Sequence, residues 1–312
     1  MFLIAMLLRL VMLLLQSREL CRVARAWTRL GQAVATSMEL GLSKSRLLGI
    51  GLEYADFREY QEGDDVRYVD WALSARSVDS ATGEYKLYTK VFHVEQMKNI
   101  VFVTDLTNSM LVEEKVSALF YISSLLLELS HRLSDKVTLI TLSNKVNTLC
   151  GLRGREAMRV LEDIVCKRQE VGGGTRIGEI VGVLKALAKK STAITIVTDY
   201  AHDIEDFEML TRLRKAMAMP IAVYLTLQKW ETELPVDRAV VMLIDAETST
   251  PLINRLEDVY RAVKTHVNHV KALLSLARIN HLEVQGIRDA RDKTIKIVES
   301  YLKTRQMQAV ER

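Results

Sequence analysis

The sequence predicts an α/β protein: a doubly wound, mainly parallel sheet preceded by a smaller N-terminal segment of helix and β-hairpin. Three observations carry this reading. Apolar runs such as Ile100-Val101-Phe102-Val103 and Ile194-Thr195-Ile196-Val197 fit strands buried on both faces, the pattern of parallel sheets covered by helices. Stretches of helical period separate those runs. From residue 98 onward strand and helix alternate, as the crossover units of such sheets require.

The elements follow in order. Residues 1–46 form a helical N-terminal segment. Its first 15 residues, MFLIAMLLRLVMLLL, are apolar but short of the roughly 20 residues that span a bilayer, and Arg9 interrupts them. They pack on the body, touch a membrane peripherally, or form an upstream extension with translation starting near Met12; no cleavage signature marks a secretory leader. Residues 14–46 alternate apolar and basic positions as one or two amphipathic helices. Residues 47–97 carry Gly49, Gly51 and Gly63, dense charge, and β-like runs such as EYKLYTKVF. Residues 98–253 hold the sheet: strands at 98–104, KVTLITLS, NTLCGL, TAITIVTDY, PIAVYLTL and AVVMLID, with helices at 113–133, 154–165, 175–190 and 204–218. Residues 254–312 are mostly helical, broken around NHLEVQGI, and complete the domain.

Composition narrows the function. The 312 residues are 49% apolar and 26% charged with a net charge of +4. That balance is too mild, and aromatics are too sparse, for a nucleic-acid surface. Cys21, Cys150 and Cys166 are odd in number and unpatterned. They read as small buried hydrophobes in a reducing, cytoplasmic compartment, peripheral to the inner membrane face if residues 1–15 touch lipid.

Three loops carry the chemistry. NIVFVTDLTNSM (99–110) delivers Asp105 at the end of a buried strand and follows it with Thr107 and Ser109. GGGT (172–175) opens a helix, with Thr175 near its N-cap. TIVTDY (195–200) repeats the first pattern and ends in Asp199. The carboxyl ends of strands in such sheets share one edge, so the five oxygen-bearing side chains converge. An all-oxygen set without His or Cys selects a hard cation, Mg²⁺ first and Mn²⁺ or Ca²⁺ next. Hydroxyls bound directly, with acids acting through water, leave the ion ready for a partner's carboxylate.

Enzyme signatures are weaker. Thr107 stands where an aspartyl-phosphate phosphatase carries its second acid. GGGT lacks the Gly-Lys-Ser/Thr of a nucleotide loop, and no Gly-x-Ser-x-Gly elbow occurs. His266 and His269 share a helical face without a third ligand, while His131 and His202 stand alone. A hydrolase also needs a general base, and the sequence is read as offering no histidine in the strand-end loops.

The ordered set Asp-x-Thr-x-Ser, Thr, Asp resembles the metal-ion-dependent adhesion site of von Willebrand factor type A domains, whose fold is Rossmann-like. Thr107 departs from the usual Ser but keeps the oxygen. GIGLEYADFREYQEGDDVRYVDWALSAR, residues 49–76, resembles the signature of domain-of-unknown-function family 58. The matching positions are Gly49, Gly51, Glu53, Tyr54, Arg58, Tyr60, Gly63, Asp64, Asp65, Arg67, Asp70, Trp71, Ser74, Ala75 and Arg76, and LIDAET (243–248) resembles a further family feature. The resemblance implies a Mg²⁺-dependent, non-enzymatic adaptor that works with a MoxR-type AAA+ ATPase in maturing or activating client proteins, a client Asp or Glu completing the metal shell. The alternatives are a metal-dependent hydrolase of phosphate esters and a metal-free scaffold. Within the signature, acids, arginines and Trp71 read as an internal network that pins this segment to the sheet domain, Trp71 being the apolar anchor; a docking surface for the ATPase is the other reading.

Overall fold

The computed structural model describes residues 17–41, 54–62, 66, 69–77, 86–92, 97–167, 171–187, 192–232, 240–244 and 251–307. Residues 1–15, Glu53, Asp64, Asp65, Arg67 and most of LIDAET lie outside them. In chain order the elements are α1 (Ser17–Gly41), β1 (Tyr54–Glu59), α2 (Trp71–Ser74), β2 (Tyr88–Phe92), β3 (Asn99–Asp105) and α3 (Glu113–Arg132). Next come β4 (Lys136–Leu142), β5 (Val146–Leu152), α4 (Gly154–Cys166), α5 (Val181–Leu187), β6 (Thr192–Thr198) and α6 (Ile204–Met217). The chain closes with β7 (Ile221–Leu227), α7 (Lys229–Thr232), β8 (Val240–Ile244), β9 (Pro251–Arg255), α8 (Leu256–Leu276), β10 (Asn280–Gln285), α9 (Gly286–Asp292) and α10 (Thr294–Gln306). Two compact units result, one of Met1–Met38 with Met97–Arg312 and one of Glu39–Gln96.

In the larger unit, among the described residues, six strands lie in the order β10-β7-β6-β3-β4-β5. All neighbours are parallel except β4 and β5. From β3 the chain steps to β4 on one side and later to β6 on the other, so the direction of winding reverses between β3 and β6. Such a switch point opens a crevice at the carboxyl edge. Strands β6 and β7 are buried at every residue, and β3 at all but its first; burial on both faces is why they read as unbroken apolar runs. Ile177, Leu184, Phe207 and Val270 pack one face of the sheet. Helix α3 lies on the other, buried from Lys115 through Ser130. No described helix is long and apolar enough to cross a membrane.

Three expectations change. The strand at NHLEVQ, read as a break between helices, is β10 and extends the main sheet beside β7. It is an edge strand, half-buried along most of its length, so it lacks the apolar run that marks the central strands. Strand β8 instead leaves the main sheet and pairs antiparallel with β9. Cysteine usage differs as well: Cys21 and Cys166 form a disulfide joining α1 to the end of α4, while Cys150 is exposed. The three cysteines are therefore not simply buried hydrophobes, and they no longer argue for a reducing compartment.

The smaller unit is a β1–β2 antiparallel hairpin with an irregularity between Tyr54 and Asp56. Asp70 Oδ1 caps α2 by accepting from Leu73 N at 3.0 Å, and Ser74 Oγ accepts from Tyr88 N at 2.8 Å. Tyr60 N donates to the Leu87 carbonyl at 2.8 Å. Arg58 and Arg76 are exposed. Trp71 is 61% exposed, and Val69 and Thr89 take buried positions in this unit.

Candidate metal centre

The site stands at the switch point. Asp105 ends β3 and Asp199 follows Thr198, the last residue of β6. These strands are parallel neighbours in register through Thr104↔Val197, so their carboxyl ends bring both acids to one crevice. Asp105, Thr107 and Asp199 are almost wholly buried. A buried carboxylate persists only with strong partners, and Asp105 has four. Its Oδ1 accepts from Thr107 N at 2.9 Å and Thr107 Oγ1 at 2.6 Å. Its Oδ2 accepts from Thr198 Oγ1 at 2.6 Å and lies 2.8 Å from His202 Nε2.

Thr107 Oγ1 lies 3.2 Å from Ser109 Oγ, near the separation of about 2.9 Å between adjacent ligands of an octahedral Mg²⁺. Because Thr107 gives its proton to Asp105, its oxygen accepts from Ser109 and keeps a second lone pair for a cation. Thr175 is placed differently. Its hydroxyl donates to the Ser143 carbonyl, which also accepts from Thr175 N. The N-cap of the following 3₁₀ turn is Arg176 rather than Thr175. The glycine loop itself is stitched to the Asp105 loop by Gly172 N to the Leu106 carbonyl (2.8 Å) and Asn108 N to the Gly173 carbonyl (3.1 Å). Gly172 and Gly173 have φ of 90° and 80°, and a Cβ on Gly173 would stand 2.1 Å from Asn144 Oδ1. Glycine is what lets the loops close together.

Three groups absent from the five expected ligands complete the centre. His202, read as isolated, is buried against Asp105 and Thr198. Burial disfavours its imidazolium, but the Asp105 hydrogen bond and the charges of Asp105, Asp199 and Asp206 outweigh that and raise its pKa. Lys115, from the first turn of α3, places Nζ 2.9 Å from both Asp199 Oδ2 and Glu231 Oε1. Burial works against this ammonium too, yet the two carboxylates raise its pKa overall. The same ion pair holds Asp199 below the usual carboxylate range against its own burial, with His202 and the Ala201 N–H assisting.

Ligand atoms of Asp105, Asp199 and His202 lie within 4.8 Å of one another. This buried group can hold a metal ion. The donor set corrects the all-oxygen expectation, since an imidazole widens the range of metals beyond the hard cations. It also supplies the general acid–base residue the sequence was read as lacking. Lys115 had one legible signal: a cation in a helix's first turn opposes the macrodipole, so it needs acids nearby. His202 and Glu231 carried none. His266, by contrast, serves structure, with Nε2 2.8 Å from the Tyr200 carbonyl.

The family described as "Protein of unknown function DUF58" matches residues 56–270. No curated protein matches the chain. Among solved structures, the chain is similar to conserved hypothetical protein BatB from Bacteroides thetaiotaomicron, with 17% identity and a TM-score of 0.42 over 66% of this chain and 99% of that one. It is similar also to an aerotolerance-related membrane protein from Bacteroides fragilis, with 16% identity and a TM-score of 0.41 over 66% and 99% of the respective chains.

Proposed function

The chain belongs to the DUF58 family, and we propose that its strand-edge centre is a cation-dependent protein-binding site of the von Willebrand type A kind. Asp105, Thr107, Ser109, Asp199 and His202 would hold the ion, with Thr175 behind them, and Mg²⁺ is the preferred metal. A bound divalent cation would offer an unfilled position to a carboxylate of the partner protein. In this reading the chain is an adaptor between a MoxR-type AAA+ ATPase and its clients, and it performs no chemistry of its own. The observation that carries it is the Thr107–Ser109 hydroxyl pair, 3.2 Å apart and backed by the four-bonded Asp105. Lys115 sets the terms: the ion must compete with an ammonium for Asp199, while Glu231 keeps Lys115 paired once Asp199 is released.

Capture of a purified MoxR-type ATPase on the immobilised chain, with and without EDTA, tests the reading. Capture should need Mg²⁺ and fail for Asp105→Asn. Capture indifferent to both would reject it.

One observation favours a second reading. The buried His202–Asp105 pair, itself part of the cluster that can hold a metal ion, suits a metal-dependent hydrolase of phosphate esters. Turnover of p-nitrophenyl phosphate with Mg²⁺ or Mn²⁺, abolished by His202→Gln, would select it over the adaptor.

A further inference from the structure

A groove runs between α1 and α4, lined by neither Asp105 nor Asp199. The groove has a volume of about 520 Å³, within the range of small-molecule sites. Arg25 and Arg29 project into it from α1, and Arg155 and Arg159 from α4. Each pair is spaced i, i+4, so each forms a ladder on one helix face. Arg155 is committed: its Nε and Nη2 bond Glu128 at 2.8 and 2.7 Å. Among the described residues, no ion pair is found for Arg25, Arg29 or Arg159. Against four guanidiniums the lining offers two carboxylates, Glu128 and Glu162.

The floor supplies an independent sign of a missing ligand. Thr28 is 3% exposed, lines the groove, and its Oγ1 has no hydrogen-bond partner. Helical threonines usually return that proton to the preceding turn. Thr36, two turns along the same face, does so, donating to the Gln32 carbonyl at 2.8 Å. A buried hydroxyl left without a partner is costly, and here it sits under three unpaired arginines.

The groove is preformed. Its walls are tied at one end by the Cys21–Cys166 disulfide, and both rest closely on α3. A Cβ on Gly31 would stand 1.9 Å from Ser124 Oγ, and one on Gly154 would stand 1.9 Å from the Leu127 carbonyl oxygen.

We propose that this groove binds a phosphate monoester. The guanidinium fork matches phosphate oxygens in pairs. A dianionic phosphoryl group balances the two positive charges by which the lining arginines exceed the glutamates, and a single carboxylate does not. Thr28 Oγ1 is itself covered, and a rotation about χ1 would bring its hydroxyl to one of the phosphate oxygens. The remaining volume accommodates the group that carries the phosphate, either a soluble small molecule or a lipid headgroup.

Calorimetric titration of the full chain with sn-glycerol 3-phosphate tests the soluble source, and flotation with phosphatidylcholine vesicles with and without phosphatidic acid tests the lipid one. Binding in either arm supports the site, provided that Arg29→Gln and Arg159→Gln each weaken it about tenfold, Thr28→Val weakens it, and Lys136→Gln on an exposed strand end leaves it unchanged. The two arginines are exposed and unpaired, so melting temperature should stay constant and separate binding from folding. No binding in either arm, or binding that the groove variants do not weaken, or that Lys136→Gln weakens equally, overturns the proposal.

Discussion

Two buried acid–cation centres sit at opposite ends of the same sheet, and they are built differently. At the amino edge, Asp135 precedes β4 and is gripped by the Arg305 fork at 2.8 and 2.9 Å, with Lys98 N adding a third bond at 2.9 Å. Both side chains are almost fully buried. At the carboxyl edge, Asp199 meets a lysine at a single oxygen, and that lysine is shared with Glu231. Hydroxyls and an imidazole surround the second centre. A planar bidentate fork fixes geometry, whereas an ammonium on a flexible stem can be displaced. The first arrangement closes a structure and the second leaves room for an exchange of cations.

The contrast yields graded tests. Arg305→Met should be the most damaging, because it strands Asp135 in the interior; breaking such a pair costs about 3–5 kcal/mol. Chemical denaturation should show this loss, and added Mg²⁺ or Mn²⁺ should not recover it. Lys115→Met also strands an acid, so it should destabilise the chain by about 3 kcal/mol in EDTA. Here a divalent cation should restore most of the loss by binding the folded state. Recovery at both centres, or at neither, would erase the distinction between them.

The sequence made one half of this comparison legible. Asp105, Thr107 and Ser109 were readable because an apolar strand ending in an acid and two hydroxyls is a local pattern. Asp199 repeats it, and parallel topology brings the two ends together. The rest depended on chain crossings that leave no local trace. His202 bonds Asp105 across 97 residues, and Arg305 reaches Asp135 across 170. Cys21 and Cys166 are 145 apart, so no spacing rule could pair them. Strand β10 was hidden because an edge strand needs no apolar run. For Trp71, a large aromatic among charges suggests an anchor, and within its own unit it lies on the surface.

Smaller effects sharpen the same picture. Glu283 on β10 is held below its usual pKa: burial alone would raise it, but Lys271, Gln285 and Tyr200 more than compensate. A depressed carboxylate contributes stability above its unfolded pKa of about 4.3, and that contribution disappears as pH falls through the folded value. Glu283→Gln should therefore cost up to about 1 kcal/mol at pH 7, since the pair is partly exposed. Its difference from wild type should shrink as the medium is acidified below about pH 4. Trp71→Ala should change unfolding free energy by no more than about 0.5 kcal/mol, as expected of an exposed side chain; a larger loss would return Trp71 to a packing role.

The most direct test is calorimetric titration of Mn²⁺, a spectroscopically convenient stand-in for Mg²⁺, into the wild-type chain and Asp105→Asn. A cation centre at the β3–β6 crevice requires saturable binding of one ion per chain in the wild type and its loss in the variant. Absence of binding to the wild-type chain, or equal binding to both proteins, would contradict the account.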